Sequence, residues 1–199
     1  WAGDGGTFDI GLQALSGAAE RNEDFIYCCY DNEAYMNTGV QRSSATPWGA
    51  WTTTTPAGHP ESHPKKDIMA ILAAHRIPYA ATASVAYPVD LVEKVRKAKS
   101  IRGTRFLHIL SPCPPGWKSA DEETIELARM AVRSRVFPLM EVEDGARWRF
   151  TTEHPGDPVE EYLKRQGRFR HLTDGQMAHV QSEVDARWEI LKRRVAHGT

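Results

Sequence analysis

Gly3-Asp4-Gly5-Gly6 sets one carboxylate among glycines where a strand end gives way to a helix. Backbone N–H groups at a helix N-terminus hold anions, and glycine lets an anion come close to the chain. Alone, such a tetrapeptide is as readily a tight turn with an aspartate cap. Asn32 adds to it, because it follows the next apolar run, Phe25–Tyr30, as Asp4 follows the first. Neighbouring parallel strand ends lie about 5–10 Å apart, so both oxygen-bearing side chains can reach one ion. Carboxylate, amide oxygen, main-chain carbonyl, phosphate oxygens and water together form the hard octahedral shell that Mg²⁺ prefers. A second candidate is Cys113 in Ser111-Pro-Cys-Pro-Pro-Gly-Trp117, where prolines and glycine exclude regular structure and would hold a thiol stiffly. Against that stands the commoner fate of a lone cysteine, a small buried apolar side chain.

Other chemistry-bearing residues read more plainly. Cys28 and Cys29 fall inside the apolar run and are expected to be buried. His59, His63, His75, His108, His154, His171, His179 and His197 show no paired Cys/His spacing of a zinc site. Arg42 and His63 lie in an irregular region that could face a ligand, and the basic stretch Lys164–His171 reads as a solvated or subunit-facing surface.

These residues need a scaffold. After the glycine turn, Phe8, Ile10, Leu12, Leu15 and Ala18-Ala19 give a helical segment, and Phe25–Tyr30 a strand. Strand end, helix, strand implies a right-handed βαβ unit with both strand C-termini on one edge of the sheet. Residues 31–64 carry Gly, Pro, Ser, Thr and Trp without a period, too long for an ordinary connection, so a functional loop is expected there. Helices are predicted over Lys66–His75 and Pro88–Ser100, and strands over Tyr79–Val85 and Arg105–Leu110. Beyond lie an amphipathic helix over Asp121–Val136, a hairpin around Glu143–Ala146, and helices near Val159–Gln166 and Thr173–Val195. The expected fold is α/β, a doubly wound, mostly parallel sheet with a helical C-terminal extension. Residues 1–117 would form the core and 118–199 an extension packing on it or on a partner. The opening Trp1-Ala-Gly-Asp-Gly, a glycine turn with no initiator Met, suggests that the sequence begins inside a domain.

Gly-Asp-Gly, a gap of 26 residues, then Asn32 is the thiamin diphosphate spacing. Gly3-Asp-Gly-Gly-Thr-Phe-Asp-Ile-Gly11, Asp31-Asn-Glu-Ala-Tyr-Met-Asn-Thr-Gly39, Thr46-Pro47, Pro112-Cys-Pro-Pro-Gly-Trp117 and Pro158–Lys164 together resemble the β subunit of the pyruvate synthase type of 2-oxoacid:ferredoxin oxidoreductase. The resemblance covers roughly residues 1–170 and implies that the doubly wound sheet is of the thiamin diphosphate-binding type. It implies that Asp4, the Asn32 side chain and the Ala34 carbonyl ligate Mg²⁺, and that Gly3, Gly5, Gly6 and nearby amides cradle the diphosphate. Asn37 would sit by the thiazolium as a catalytic residue. Cys113 would be the last of four thiolates on a 4Fe-4S cluster, with a Cys-x-x-Cys and a third cysteine expected upstream of Trp1. The implied reaction is oxidative decarboxylation of pyruvate or a related 2-oxoacid to acyl-coenzyme A and CO₂, with electrons passed to ferredoxin. A glutamate that activates the cofactor would come from another subunit of α, γ or δ type, leaving this chain an incomplete catalyst.

Two alternatives stand beside that reading, a non-oxidative thiamin-dependent decarboxylase or carboligase, and a non-catalytic nucleotide-binding protein. The first has no use for a thiolate at Cys113. Composition narrows the rest. With 41% hydrophobic and 26% charged residues in 199, the chain can bury a sizeable core. No apolar run approaches the roughly 18 residues of a membrane span, and no signal peptide opens the sequence, so a cytoplasmic, membrane-free protein is expected. Residues 1–64 hold 2 basic and 8 acidic side chains, against 23 and 18 in residues 65–199. An acidic front half argues against nucleic acid as a partner. Three cysteines, two of them adjacent, do not make a disulfide framework.

Overall fold

The computed structural model describes residues 1–197. Its centre is a sheet of six strands in the order β1-β2-β4-β3-β5-β6. Strands β1 (Ala2–Gly3), β2 (Phe25–Asp31), β3 (Tyr79–Ser84) and β4 (Thr104–Leu110) run parallel, and β5 (Met140–Glu143) and β6 (Arg147–Phe150) continue the sheet antiparallel from β3. Every residue of β3 and β4 is buried. Apolar residues accordingly occur at successive positions, as in Ala80-Ala81 and Phe106-Leu107, and not only at alternate ones, because a parallel strand in the middle of a sheet is covered on both faces.

The two faces follow the period of two. Cys29, Ala80 and Phe106 point to one side, where α1 (Leu12–Glu20) and α2 (Ile68–Ala74) deliver Leu15, Ala19, Ile68 and Leu72. Cys28, Ala81, Leu107 and Ile109 point to the other, covered by Leu91, Val95 and Ala98 of α3 (Pro88–Ser100). Helix α3 opens as its sequence predicts, with Pro88 in the first turn, where a missing N–H costs nothing. Its Lys94 is 1% exposed, and three oxygens satisfy its ammonium: the Thr82 carbonyl at 2.8 Å, Asp90 at 2.6 Å and Thr151 Oγ1 at 2.8 Å.

Residues past 117 take part in the same sheet through β5 and β6. Their helices α5 (Thr124–Arg133), α6 (Val159–Lys164) and α7 (Asp174–His197) bury Leu127, Ala131, Tyr162, Leu163 and Val184 with Trp117 and Leu110, over the C-terminal end of β4. Trp117 closes α4 (Pro114–Trp117), a single turn that follows Cys113. Among the described residues no helix is long and apolar enough to cross a membrane. Phe106 is 0% exposed at the centre of the first face. Phe106→Ala is therefore expected to lower the unfolding free energy by about 3–5 kcal/mol in urea titration, the cost of an aromatic-sized cavity that a strand backbone cannot collapse into.

Candidate functional site

Parallel pairing sets the site. Gly3 of β1 lies opposite Tyr30 of β2, so Asp4 and Asn32 emerge side by side at the C-terminal edge. Asp4 and Gly5 begin a helical turn that continues as a π-helical stretch over Gly6–Ile10 before α1. The leading amides of such a turn have no acceptor within the helix. Glycine is needed in it for two separate reasons. A Cβ on Gly5 would stand 2.2 Å from the Tyr35 ring, whose hydroxyl donates to the Gly5 carbonyl at 2.9 Å, and a Cβ on Gly11 would stand 2.1 Å from the Gly6 carbonyl oxygen.

Asp4 is 1% exposed. One carboxylate oxygen accepts from the Asn32 backbone N–H at 3.3 Å and the other from the Ser43 hydroxyl. The end of the Asn32 carboxamide lies 2.9 Å from Asp4 Oδ1 and 2.8 Å from the Ala34 carbonyl oxygen. With its nitrogen turned in, the amide donates to both. With its oxygen turned in, three oxygens converge around one point, an arrangement that only a cation makes favourable. Burial, and then the negative charge of Asp31, push the Asp4 carboxyl up to about 7, against the pull of Ser43 and Lys65. A carboxylate so placed gains much from a divalent ion. The donor set of carboxylate, amide oxygen and carbonyl is all oxygen, which suits Mg²⁺ and not a thiophilic metal. Among the described residues no group of three or more His, Cys, Asp or Glu forms a metal-type cluster.

Behind the three oxygens lies a buried set of charges. Asp31 is fully buried, accepting from Lys65, from His108 Nε2 at 2.7 Å and from the Glu33 N–H at 2.9 Å. Burial opposes its charge, but Lys65 and His108 outweigh that and hold its carboxyl well below the usual range. Lys65 also meets Glu33 at 2.9 Å, and Arg168 reaches the other Glu33 oxygen at 2.6 Å. Burial works against the Lys65 ammonium too, and the two carboxylates outweigh it and raise its pKa.

The structure thus brings together Asp4, Asn32, Ala34 and the glycine turn of Gly3, Gly5 and Gly6. Asn37 stands exposed in a turn closed by the backbone pair of Tyr35 and Gln41. Cys113 is half-buried just before α4, and Met36 packs so closely on the Gly116 of that turn that a Cβ there would stand 2.2 Å from the Met36 sulfur. Cys28 and Cys29 are buried, as expected, and burial pushes both thiols up. Arg42 and His63 both pair with Glu61, at 2.5 and 3.2 Å. One reading needs correction: within Lys164–His171, Arg168 is not on a solvated surface but 2% exposed. Spacing gave no sign of it, because its partner Glu33 is 135 residues away.

Comparison with known proteins agrees with this geometry. The profile of the thiamine pyrophosphate enzyme C-terminal TPP-binding domain matches residues 1–109, which contain both strand ends and the loop between them. Pyruvate synthase subunit PorB of Methanothermobacter marburgensis is 54% identical over 96% of this chain and 68% of its own length. The chain belongs to the β subunits of the 2-oxoacid:ferredoxin oxidoreductases. Ketoisovalerate oxidoreductase subunit VorB of Pyrococcus furiosus, also of this family, is 52% identical over 97% of the chain. The chain spans 64% of that relative's length. Among solved structures, a 2-oxoglutarate:ferredoxin oxidoreductase from Magnetococcus marinus superposes with a TM-score of 0.53 and 24% identity, covering 64% of this chain and 50% of that one, a likeness of fold.

Proposed function

We propose that this chain is the thiamin diphosphate-binding subunit of an oxidoreductase that decarboxylates pyruvate or a related 2-oxoacid to acyl-coenzyme A and CO₂, with electrons leaving through iron–sulfur centres to ferredoxin. The observation that carries the proposal is the convergence of Asp4, the Asn32 amide and the Ala34 carbonyl at adjacent strand ends. In this reading those three oxygens hold Mg²⁺, and Gly3, Gly5, Gly6 and the neighbouring amides leave room for a diphosphate against the helix start. Thiamin diphosphate, when bound, supplies the electron sink that lets the carboxylate carbon leave as CO₂. The chain's own part is to bind and orient: Asp4 fixes the ion, Ser43 fixes Asp4, and Asn37 on its turn faces the reacting end. Cys113 supplies one thiolate to a 4Fe-4S cluster whose other ligands this chain does not hold, since Cys28 and Cys29 are locked in β2. The rest of the active site is completed by companion subunits, in a cytoplasmic complex.

The choice of 2-oxoacid is made by comparison of rates. Relatives named for pyruvate and for ketoisovalerate are about equally similar, at 54% and 52% identity. The complete enzyme, purified with its companion subunits, should reduce a viologen dye when given coenzyme A and pyruvate, and faster than with 2-oxoisovalerate or 2-oxoglutarate. Residues 1–199 alone should reduce none. If the complete enzyme gives no reduction with any 2-oxoacid, or if the isolated chain suffices, the proposal fails.

A further inference from the structure

From the contacts around Glu33 we infer that Glu33, Lys65 and Arg168 are positioning residues for the metal site, a buried charge clamp that sets the direction of the Ala34 carbonyl and the Asn32 amide; this rests on the reading of Asp4, Asn32 and Ala34 as Mg²⁺ ligands. The need for a clamp is written in the backbone. Between the two ligand residues, Glu33 has φ +68°, in the left-handed region that a non-glycine residue avoids unless its surroundings hold it there. That single residue reverses the chain so that the carbonyl of residue 34 comes back to within 2.8 Å of the amide of residue 32.

What holds it is unusually complete. The Asn32 carbonyl accepts from the Trp117 indole N–H at 2.8 Å, the Glu33 N–H donates to Asp31 at 2.9 Å, and the Glu33 carbonyl accepts from the Thr46 hydroxyl at 2.8 Å. The Glu33 side chain, 3% exposed, is gripped from both ends, by Lys65 at 2.9 Å and Arg168 at 2.6 Å. Arg168 is itself fixed, since its Nε donates to Gln166 at 2.9 Å and its guanidinium lies 3.9 Å from the centroid of the Trp117 ring. Two carboxylates, Asp31 and Glu33, face the Lys65 ammonium and the Arg168 guanidinium, so each buried charge of the clamp has an opposite charge beside it. Neutralising Glu33 leaves Arg168 without its carboxylate, and removing Arg168 leaves one Glu33 oxygen without its partner, a costly change in a buried site that loosens the hold on residue 33. Arg168 comes from the short turn Gly167–Phe169 between α6 and α7, so the last third of the chain contributes one member of the clamp.

The test is Mg²⁺ binding to the complete oxidoreductase with thiamin diphosphate saturating. Glu33→Gln keeps the shape and removes the charge; Arg168→Met keeps the apolar stem; Arg168→Lys restores a cation without the fork. Expected are a rise of about 10–100-fold in the Mg²⁺ concentration at half-saturation for the first two, as for outer residues that orient metal ligands, and partial recovery for Arg168→Lys. A fold-stabilising role alone would lower the melting temperature of the metal-free protein and leave the Mg²⁺ dependence where it was, and that outcome overturns the inference. Asp4→Asn, measured in parallel, separates the two levels. If it too leaves Mg²⁺ binding unchanged, the site reading fails, and the clamp with it.

Discussion

Asp4→Ala in the complete oxidoreductase is expected to lose Mg²⁺ and thiamin diphosphate together while keeping its fold. Asp4 is the sole carboxylate among the three converging oxygens, and the amide and carbonyl that remain bring no charge. Losing it should cost several kcal/mol, a fall of about 10³-fold or more in affinity at 1.4 kcal/mol per decade. The fold should be spared for an electrostatic reason. Asp4 is buried beside Asp31, so its charge repels a neighbour and receives no ion pair of its own. Neutralising it removes that repulsion, and what is lost are the hydrogen bonds from Ser43 and from the backbone and side-chain amides of Asn32. Isothermal calorimetry of Mg²⁺ in the presence of the cofactor decides the matter, with circular dichroism as the check on folding. Cofactor affinity unchanged from wild type would remove Asp4 from the site.

Much of this site could be read from the sequence because each part depends on short-range pattern. Asp4 and Asn32 sit at the ends of apolar runs, and parallel pairing of adjacent runs is enough to bring them together. The elements up to Leu110 announce themselves by period and by turn residues, as with Pro88 at the start of α3. What stayed hidden depends on pairs with no fixed spacing. His108 reads as an ordinary strand residue until β4 is laid beside β2, where Cys29 is its register partner and Asp31 comes within reach of its ring. Lys65 lies in a loop of no period, and Arg168 among basic residues whose neighbours, such as Lys164, are exposed. Composition assigns such a stretch to the surface; a single cation within it that finds a buried carboxylate cannot be told apart by type. The joining of β5 and β6 to the sheet was equally unreadable, since a hairpin in sequence says nothing of which edge it will extend.

Cys113→Ser in the complete protein should lose most of its 4Fe-4S cluster and its electron transfer to ferredoxin, and the reason lies in how the thiol is held. Cys113 precedes two prolines, whose fixed φ angles leave its own backbone extended, at φ −117°. The turn after it is tied down at its far end, where Trp117 donates to the Asn32 carbonyl at 2.8 Å and is fully buried. The sulfur is therefore presented at a fixed point, half-open, on a turn bonded to the loop of Asn32 and Ala34. A cluster ligand must be a thiolate held against other rotamers, and this loop supplies the second condition by itself. One thiolate does not hold a cluster, and neither Cys28 nor Cys29 can help, since their thiols are buried inside β2 and burial raises them further from ionisation. Residues 1–199 alone should accordingly stay colourless and iron-free after reconstitution, with Cys113 open to alkylation. In the complete protein, iron analysis and low-temperature paramagnetic resonance of the reduced form should show the cluster in wild type and in Cys28→Ala, and its loss in Cys113→Ser. Because Trp117 links the same turn to Asn32, the serine variant should still bind Mg²⁺ and thiamin diphosphate normally, which separates a lost ligand from a collapsed site. A Cys113→Ser protein that keeps a full cluster and normal ferredoxin reduction would make Cys113 a packing residue and leave the path of the electrons to be found elsewhere.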